Sequence, residues 1–439
     1  MQVSSFFHSI PVGDGINALY NSLLMDVVFS TDEELTHIIQ CSVSDEDQIS
    51  KLQDAGIYVA DSSVDSMALD AIRKNCISKN SEIDIMYLIV SSACNFGCRY
   101  CFVKSQTTGS ELMDVATAEV AINKFAKYLK DTGKQSGEVI FYGGEPLMNF
   151  EVICQVVNKI REYDLKIKCS IVTNGSLIDK EKAAFFAEHE IDVGISLDGF
   201  KEVNDRNRVY RSSKKGTYDD VLNAVSFLQE CHAPFGLSIT VSEEVLLHQD
   251  EIILWLETLG IKRIFYNLLH FTEKWDGWKD YYEAAALFLI KSYEVLSRQS
   301  IIDGRLFRKI DCLLSQEFKY ADCAAIGENQ ITVQPNGDIC ICHGYFKKPQ
   351  YSICNVRDVE LTSFSLSSDD EMDFWRYRAP IFNEQCIQCE ALFLCGGGCA
   401  LQAEALFGDR GHIDEPFCIH TKSALKWLLE KLYEFDGKE

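Results

Sequence analysis

The cysteines limit what this chain can fold into more than any other feature of its sequence. They number 18 among 439 residues, with three inside Cys94–Cys101 and nine between Cys312 and Cys399. Clustered cysteines in a secreted chain indicate disulfides, whereas in the reducing cytosol they indicate metal or redox chemistry. The segment Met1–Ser5 lacks the basic flank and apolar stretch of a secretory signal. We therefore expect a cytoplasmic protein whose clustered cysteines bind metal.

The charge of the chain argues against one class of partner. The formal net charge is −24 at pH 7, and so acidic a surface repels a phosphate backbone, so we expect no nucleic-acid partner. A neutral or basic peptide fits this charge better, although general solubility explains it equally well. No apolar run approaches the roughly 20 residues that span a bilayer, so we expect no membrane association.

Strand-like and helix-like stretches alternate over the middle of the chain. Helical stretches such as Val115–Leu129 and Lys180–Glu188 separate six predicted strands, which are Ile85–Val90, Glu138–Phe141, Lys166–Val172, Asp192–Leu197, Phe235–Val241 and Arg263–Leu269. Repeated β/α units predict a parallel sheet covered by helices. We expect an α/β fold whose residues 81–305 form a partial (β/α)6 barrel of the TIM type, with its chemistry at the carboxyl ends of the strands.

Two further units are predicted to flank this barrel. Residues 1–80 read as a small α+β domain with helices at Asp45–Ala55 and Ser66–Ile72 and a short strand at Ile57–Val59. Residues 306–439 read as a cysteine-rich domain with a hairpin of Gln330–Val333 and Ile339–Cys342, a polar loop at Ser363–Asp370 and a closing helix at Ser423–Phe435.

The first cysteine motif follows the first barrel strand. Cys94, Cys98 and Cys101 have the spacing C-x3-C-x2-C, and three thiolates on one loop can bind three irons of a cubane cluster. The fourth iron is then free to bind a small molecule, which separates a catalytic cluster from an electron carrier. A zinc site is the alternative, but structural zinc prefers four ligands and no histidine lies nearby in the sequence.

With its flanking aromatic residues this motif resembles the signature of the radical S-adenosylmethionine (SAM) superfamily, and the resemblance extends over about residues 85–305. It implies that Gly143, Gly144, Glu145 and Pro146, after the second strand, bind the amino group of the cofactor's methionine, since a carboxylate pairs with an ammonium and glycines allow close backbone approach. Weaker matches after later strands and at the third cysteine give further candidate cofactor contacts: Phe102, Asn174, Ser196, Asp198 and Arg208.

The second cysteine array resembles the SPASM extension of radical SAM enzymes. Its pattern is C-x9–15-G-x4-C followed by C-x2-C-x5-C-x3-C and a last cysteine, and all seven cysteine positions are present. The resemblance implies two auxiliary [4Fe–4S] clusters and so three in all. One would be bound by Cys386, Cys389, Cys395 and Cys418, and the other by Cys323, Cys342 and Cys399. For the fourth ligand of the latter we choose Cys312, with Cys340 or an open iron as alternatives.

The resemblance also implies a reaction and its partners. A reducing protein such as flavodoxin or ferredoxin supplies an electron, SAM is cleaved to a 5′-deoxyadenosyl radical, and the radical takes a hydrogen atom from substrate. The leading substrate is a ribosomally made precursor peptide, crosslinked through a thioether or a carbon–carbon bond. Residues 1–80 loosely resemble leader-peptide recognition domains, with a cap over the barrel as the alternative.

Three other functions remain open from the sequence. An anaerobic sulfatase-maturating enzyme, which makes formylglycine, carries an aspartate after the G-x4-C cysteine. Here His343 fills that position, where it is a candidate base, and Tyr142 is a candidate radical relay. An iron–sulfur electron-transfer protein belongs to another class, and the open first cluster argues against it, while a zinc-binding protein would lack iron.

Overall fold

The N-terminal part of the chain forms two small antiparallel sheets and three helices. The computed structural model describes residues 1–79, 82–103, 111–270, 277–346, 348–361 and 370–436. Strands β2, β3 and β4 form one sheet in that order, and β1 pairs with β5. The elements are β1 Gln2–Val3, β2 Phe7–Gly13, β3 Ile16–Asn21, β4 Val27–Thr31, α1 Asp32–Ile39, α2 Glu46–Asp54, β5 Tyr58–Val59 and α3 Ser62–Lys79. Helix α3 is more than twice as long as the predicted helix Ser66–Ile72.

The six predicted barrel strands are confirmed, with ends that move by at most two residues. They are β6 Ile85–Ser91, β7 Ser136–Gly143, β8 Lys166–Thr173, β9 Asp192–Ser196, β10 Phe235–Val241 and β11 Arg263–Leu268. The helices between and after them are α4 Val115–Asp131, α5 Phe150–Ile160, α6 Lys180–Glu188, α7 Lys201–Asn207, α8 Tyr218–Glu230, α9 Glu243–Leu247, α10 Gln249–Thr258 and α11 Trp278–Leu296. Adjacent strands pair in parallel, which gives a mixed α/β fold around a large, mostly parallel sheet.

The sheet is wider than the sequence predicts. Within the described residues it has ten strands in the order β12-β11-β10-β9-β8-β7-β6-β13-β14-β15. The added strands are β12 Ile302–Asp303, β13 Gln330–Val333, β14 Asp338–Cys340 and β15 Cys354–Asn355. Strand β13 pairs in parallel with β6, so the hairpin assigned from sequence to a separate cysteine-rich domain continues the barrel sheet. Local patterns do not reveal a pairing between segments so far apart in the chain.

Helices make up most of the remaining C-terminal segment. They are α12 Gly304–Ser315, α13 Asp370–Tyr377, α14 Glu384–Ile387, α15 Leu392–Cys395, α16 Ala400–Phe407 and α17 Glu415–Asp436. The predicted closing helix is the second half of α17, and the predicted loop Ser363–Asp370 lies almost wholly outside the described residues. Among the described helices, none is long and apolar enough to cross a membrane.

The two faces of the barrel sheet differ in polarity. Met86, Leu88 and Val90 of β6 point to one face and are fully buried in the main core. The register places Tyr87 beside Thr332 of β13 on the other face. Polar side chains continue across this inner face and bond to each other, as Ser170 to Glu138 at 2.5 Å and Asn267 to Ser238 at 2.8 Å. The inner face therefore carries many polar side chains among apolar ones such as Ile89 and Ile140, a mixture that suits a ligand site.

The N-terminal sheet packs against the C-terminal segment. Tyr20 of β3 is fully buried in a cluster with Leu425 of α17. Its ring meets that of Phe393 edge-on at 6.0 Å, and its hydroxyl donates to the carbonyl of Glu390 at 3.0 Å. The chain ends are thus joined through a shared apolar cluster.

We expect Tyr20 variants to measure the strength of this contact. Tyr20→Phe removes only the hydrogen bond and should destabilise the protein by about 1 kcal/mol. Tyr20→Ala also leaves a cavity and should cost about 3–5 kcal/mol. Tyr377→Ala, at a 57% exposed residue, is the control for loss of a tyrosine. Anaerobic thermal unfolding of the variants checks the order, and equal effects of the two Tyr20 variants would contradict the packing.

Candidate functional site

The cysteine loop, defined as Cys94, Cys98 and Cys101, lies just beyond the carboxyl end of β6. Burial raises the pKa of Cys94 to about 12, and the nearby thiols of Cys98 and Cys101 contribute to this rise. Burial likewise raises the pKa of Cys98 to about 11. The thiolates that bind metal therefore form here only beside a compensating cation. This donor set fits an iron–sulfur cluster, which supplies that cation.

Two glycines at the end of β7, Gly143 and Gly144, let the next loop approach the cysteine loop. The amide of Gly144 donates to the carbonyl of Ser91 at 2.8 Å, and the amide of Glu145 donates to that of Ala93 at 2.8 Å. A Cβ atom would lie 2.0 Å from the Ser91 oxygen at Gly143 and 2.4 Å from the Ala93 oxygen at Gly144. Gly143 also has φ +142°, which disfavours any side chain.

The carboxylate of Glu145 lies inside the protein between the ends of β7 and β8. It is fully buried, and it accepts hydrogen bonds from Thr173 Oγ1 at 2.6 Å, the Asn174 amide at 2.8 Å and the Leu147 amide at 3.0 Å. Burial raises its pKa to about 7, against the effect of these bonds. Glu145 thus joins the ends of neighbouring strands. Pro146 begins the short helix Pro146–Asn149.

Asp198 and Arg208 form a buried ion pair beside the cysteine loop. Arg208 donates through Nε and Nη2 to the two carboxylate oxygens of Asp198, each at 2.9 Å. Asp198 also accepts from the Tyr100 hydroxyl and from the Thr240 amide at 2.9 Å. After burial, Arg208 has the largest effect on the pKa of Cys98, which it lowers. These two side chains therefore bind each other, and their contact with the cofactor stays a prediction.

The other predicted cofactor residues lie on the same side of the sheet. The side-chain amide of Asn174 donates to Asn95 of the cysteine loop at 2.8 Å. Ser196 ends β9 on the inner face, beside Ser238 of β10. The ring of Phe102 lies 5.5 Å from that of His270. The candidates thus surround the space above the cysteine loop.

The C-terminal cysteines gather in two sets. The first C-terminal thiol group is Cys323, Cys342 and Cys399, and the second is Cys386, Cys389, Cys395 and Cys418. Burial raises the pKa of Cys342 well above its usual value, with further rises from Cys323 and Cys399. In the same way burial raises the pKa of Cys418, and Cys395, Cys386 and Cys389 contribute. A cavity of about 320 Å³ is bordered by Cys386, Cys395 and Cys418, space that fits a cubane.

The chosen fourth ligand, Cys312, lies apart from the first C-terminal thiol group. Its thiol donates to the carbonyl groups of Glu317 at 2.9 Å and Phe393 at 3.6 Å, within the cluster that holds Tyr20. Cys340 lies nearer, since its thiol donates to the Cys342 carbonyl at 3.5 Å. Of the two candidates the structure favours Cys340. Within the described ranges no three Cys, His, Asp or Glu side chains converge on a single-ion site.

His343 borders a chamber between the cysteine loop and the first C-terminal thiol group. Its ring stacks on Tyr87 at 4.2 Å and meets Tyr142 edge-on at 4.9 Å. Burial, with a smaller contribution from His270, lowers the pKa of His343 to about 4, so its ring is neutral at pH 7. Its Nδ1 atom has no hydrogen-bond partner in the described part of the chain. We call the space bordered by Tyr87, Phe102, Tyr142, His270 and His343 the central chamber.

Tyr142 connects the two ends of this chamber. Burial raises its pKa to about 12, and both Cys101 and Cys342 add to the rise. Its ring and Cys101 both pack against the small apolar cluster of Ile89, Val103 and Phe346. All five chamber side chains keep some accessible surface although protein surrounds them. Sequence reasoning missed Tyr87 and His270. For Tyr87 the available signal was its alternation with buried apolar residues along β6.

Comparisons with known proteins agree with this geometry. Residues 88–256 match the family model described as "Radical SAM superfamily". The chain is 24% identical to the radical SAM cyclopropyl synthase TigE of Paramaledivibacter caminithermalis, over 84% of this chain and 79% of that protein. It is 25% identical to a cysteine-type anaerobic sulfatase-maturating enzyme of Clostridium novyi, over 78% of this chain and 94% of that enzyme.

Solved structures share the fold. The anSMEcpe enzyme with bound AdoMet has a TM-score of 0.68 at 21% identity, covering 81% of this chain and 96% of that one. SuiB of Streptococcus suis bound to S-adenosylmethionine has a TM-score of 0.56 at 18% identity, covering 95% of this chain and 100% of SuiB. The radical SAM family binds S-adenosylmethionine and a [4Fe–4S] cluster. Residues 88–256 are therefore a radical SAM domain.

Proposed function

We propose that the chain is a peptide maturase that crosslinks a ribosomally made precursor peptide through a thioether or a carbon–carbon bond. The central chamber carries this proposal, because it lies between the cysteine loop and the first C-terminal thiol group. With its cluster and SAM bound, the site would supply a 5′-deoxyadenosyl radical that takes a hydrogen atom from the peptide. Auxiliary clusters bound by the C-terminal thiol groups would accept an electron from the resulting substrate radical.

The residues of the chamber suit a peptide. Tyr87 and Tyr142 give an aromatic wall at 6.0 Å separation, against which a peptide side chain can pack. The unpartnered Nδ1 of the neutral His343 can bond to a backbone amide or carbonyl group. The buried pair of Asp198 and Arg208 leaves no net charge at the far side, so a neutral chain segment is not repelled.

The extent of the structural likeness favours a precursor peptide. The structure of SuiB bound to precursor peptide SuiA has a TM-score of 0.53. The likeness covers 95% of this chain and 99% of SuiB. The likeness to anSMEcpe covers 81% of this chain. About a fifth of the chain is left uncovered, a share close to that of residues 1–80. We infer that the N-terminal sheet recognises a leader segment. In the described structure β5 (Tyr58–Val59) pairs along one edge with β1, in a sheet of two strands.

The alternative is an anaerobic sulfatase-maturating enzyme. The relatives and the higher TM-score of anSMEcpe favour it. His343 argues against it, because its ring is neutral and stacked on Tyr87, whereas the maturase family has an aspartate at that position. A sulfatase-derived peptide with a cysteine or serine should stay unmodified by this enzyme, and its conversion to formylglycine in a mass spectrum would reverse the ranking.

We expect the cysteine loop to be required for SAM cleavage. The variant Cys94→Ala/Cys98→Ala/Cys101→Ala should lose one four-iron cluster and all 5′-deoxyadenosine formation, because no thiolate remains to bind that iron. Cys154→Ala, at a helix cysteine outside every thiol group, is the matched control and should retain both. Iron analysis and chromatography of reduced, reconstituted protein check this, and continued cleavage by the triple variant would sink the enzyme proposal.

The substrate class can be tested with the precursor encoded by the nearest short open reading frame. The full precursor should lose two hydrogen atoms for each crosslink, and the same peptide without its leader should react much more slowly. Mass spectrometry of the anaerobic reaction measures both. SAM cleavage with no change in the peptide's mass would exclude this precursor as substrate, and equal rates with and without the leader would contradict leader recognition by residues 1–80.

A further inference from the structure

Lys309 carries its amino group inside the protein. It lies on α12 and is 2% exposed. Its Nζ atom donates to Thr421 Oγ1 at 3.2 Å and lies 4.8 Å from the centre of the Phe417 ring. Both neighbours belong to α17, where they flank Cys418 of the second C-terminal thiol group. A full lysine side chain is therefore directed from one helix to the metal-binding face of another.

This amino group lacks a carboxylate partner. Burying an ammonium is unfavourable unless an opposite charge compensates it. Burial lowers the pKa of Lys309, and within the described ranges Lys309 forms no ion pair. Asp322, the acid that most raises this pKa, pairs with Arg308 at 3.5 Å. Arg305, on the same helix, donates to the Tyr266 carbonyl at 3.0 Å. Among these three cations on α12, Lys309 is the buried one. In the described part of the chain it has no ion-pair partner.

The second C-terminal thiol group is the negative charge that Lys309 faces. After burial, Lys309 has the largest effect on the pKa of Cys395, which it lowers. Four thiolates around a four-iron cubane leave a net negative charge on the whole centre. That charge would compensate the buried ammonium, and the ammonium would in turn stabilise the cluster.

We propose that Lys309 is the counter-ion of the metal centre at Cys386, Cys389, Cys395 and Cys418 and that its charge raises the reduction potential of that centre. The inference rests on the proposed function, since it requires a cluster at these thiols. One-electron reduction adds one negative charge to the cluster, and a buried cation stabilises the reduced form more than the oxidised form. Lys309 therefore makes this centre a better electron acceptor.

A second lysine provides a matched control. Lys422 also lowers the pKa of Cys386 and Cys389, but its side chain is 46% exposed and pairs with Glu390 at 2.9 Å. Its charge is therefore screened by water and by its carboxylate partner. Loss of Lys422 removes the same charge from the same thiol group without removing a buried counter-ion.

The experiment measures the potential of the centre rather than activity. The full chain with Cys94→Ala, Cys98→Ala and Cys101→Ala is reconstituted anaerobically, so that only the C-terminal clusters remain. They are titrated with dithionite under electron paramagnetic resonance. Lys309→Met should lower the reduced-to-oxidised ratio of one cluster about tenfold at a fixed potential, a shift of about 59 mV. The other cluster should not change, and Lys309→Arg and Lys422→Met should stay near the parent value.

Each other outcome has a defined meaning. Unchanged potentials in Lys309→Met, with both clusters retained, overturn the inference and leave the proposed function intact. Absence of both C-terminal clusters from the parent protein overturns the auxiliary clusters of the proposed function and the inference with them. Loss of one cluster in Lys309→Met but not in Lys309→Arg supports a requirement for the charge. Its loss in both variants shows that packing alone is needed, and overturns the counter-ion role.

Discussion

The buried carboxylate of Glu145 joins the three strand ends on which the site depends. Its own amide bonds to the end of β6 through Ala93, and its oxygens accept from Thr173 and Asn174 at the end of β8. An unpaired buried carboxylate is costly, whereas one that accepts several hydrogen bonds is tolerated and rigid. The cysteine loop, the glycine turn and the Asn174 turn therefore have fixed relative positions before any cofactor binds.

A second constraint is the parallel pairing of β13 with β6. It brings the hairpin that precedes Cys342 and His343 to the edge of the barrel sheet, so that the His343 ring stacks on Tyr87 of β6. The central chamber is thus formed by residues from both halves of the chain. The distance between the cysteine loop and the first C-terminal thiol group follows from one sheet, not from the docking of independent domains.

Compensation of charge is a common theme in a chain of net charge −24. Three cations lie near the predicted metal ligands: the buried Arg208 near Cys98, the buried Lys309 near Cys395, and the half-buried Arg378 near both Cys323 and Cys386. Arg208 has a carboxylate partner, whereas Lys309 has none among the described residues. The charge of Arg208 is therefore compensated by a carboxylate, whereas that of Lys309 is free to stabilise a negatively charged metal centre.

The sequence alone predicted the barrel strands, because strand alternation is a local property of the chain, and resemblance to known families predicted the cysteine loop and the division of the C-terminal cysteines into two sets. The sequence did not predict the hydrogen-bond partners of Glu145, Asp198 and Arg208, because those bonds join turns that are distant in the sequence. Nor did it separate Cys312 from Cys340 or reveal Lys309 as a buried cation. Those depend on how α12, α17 and the β13–β14 hairpin pack. Only the tertiary structure decides which polar groups meet each other and which are left for a ligand.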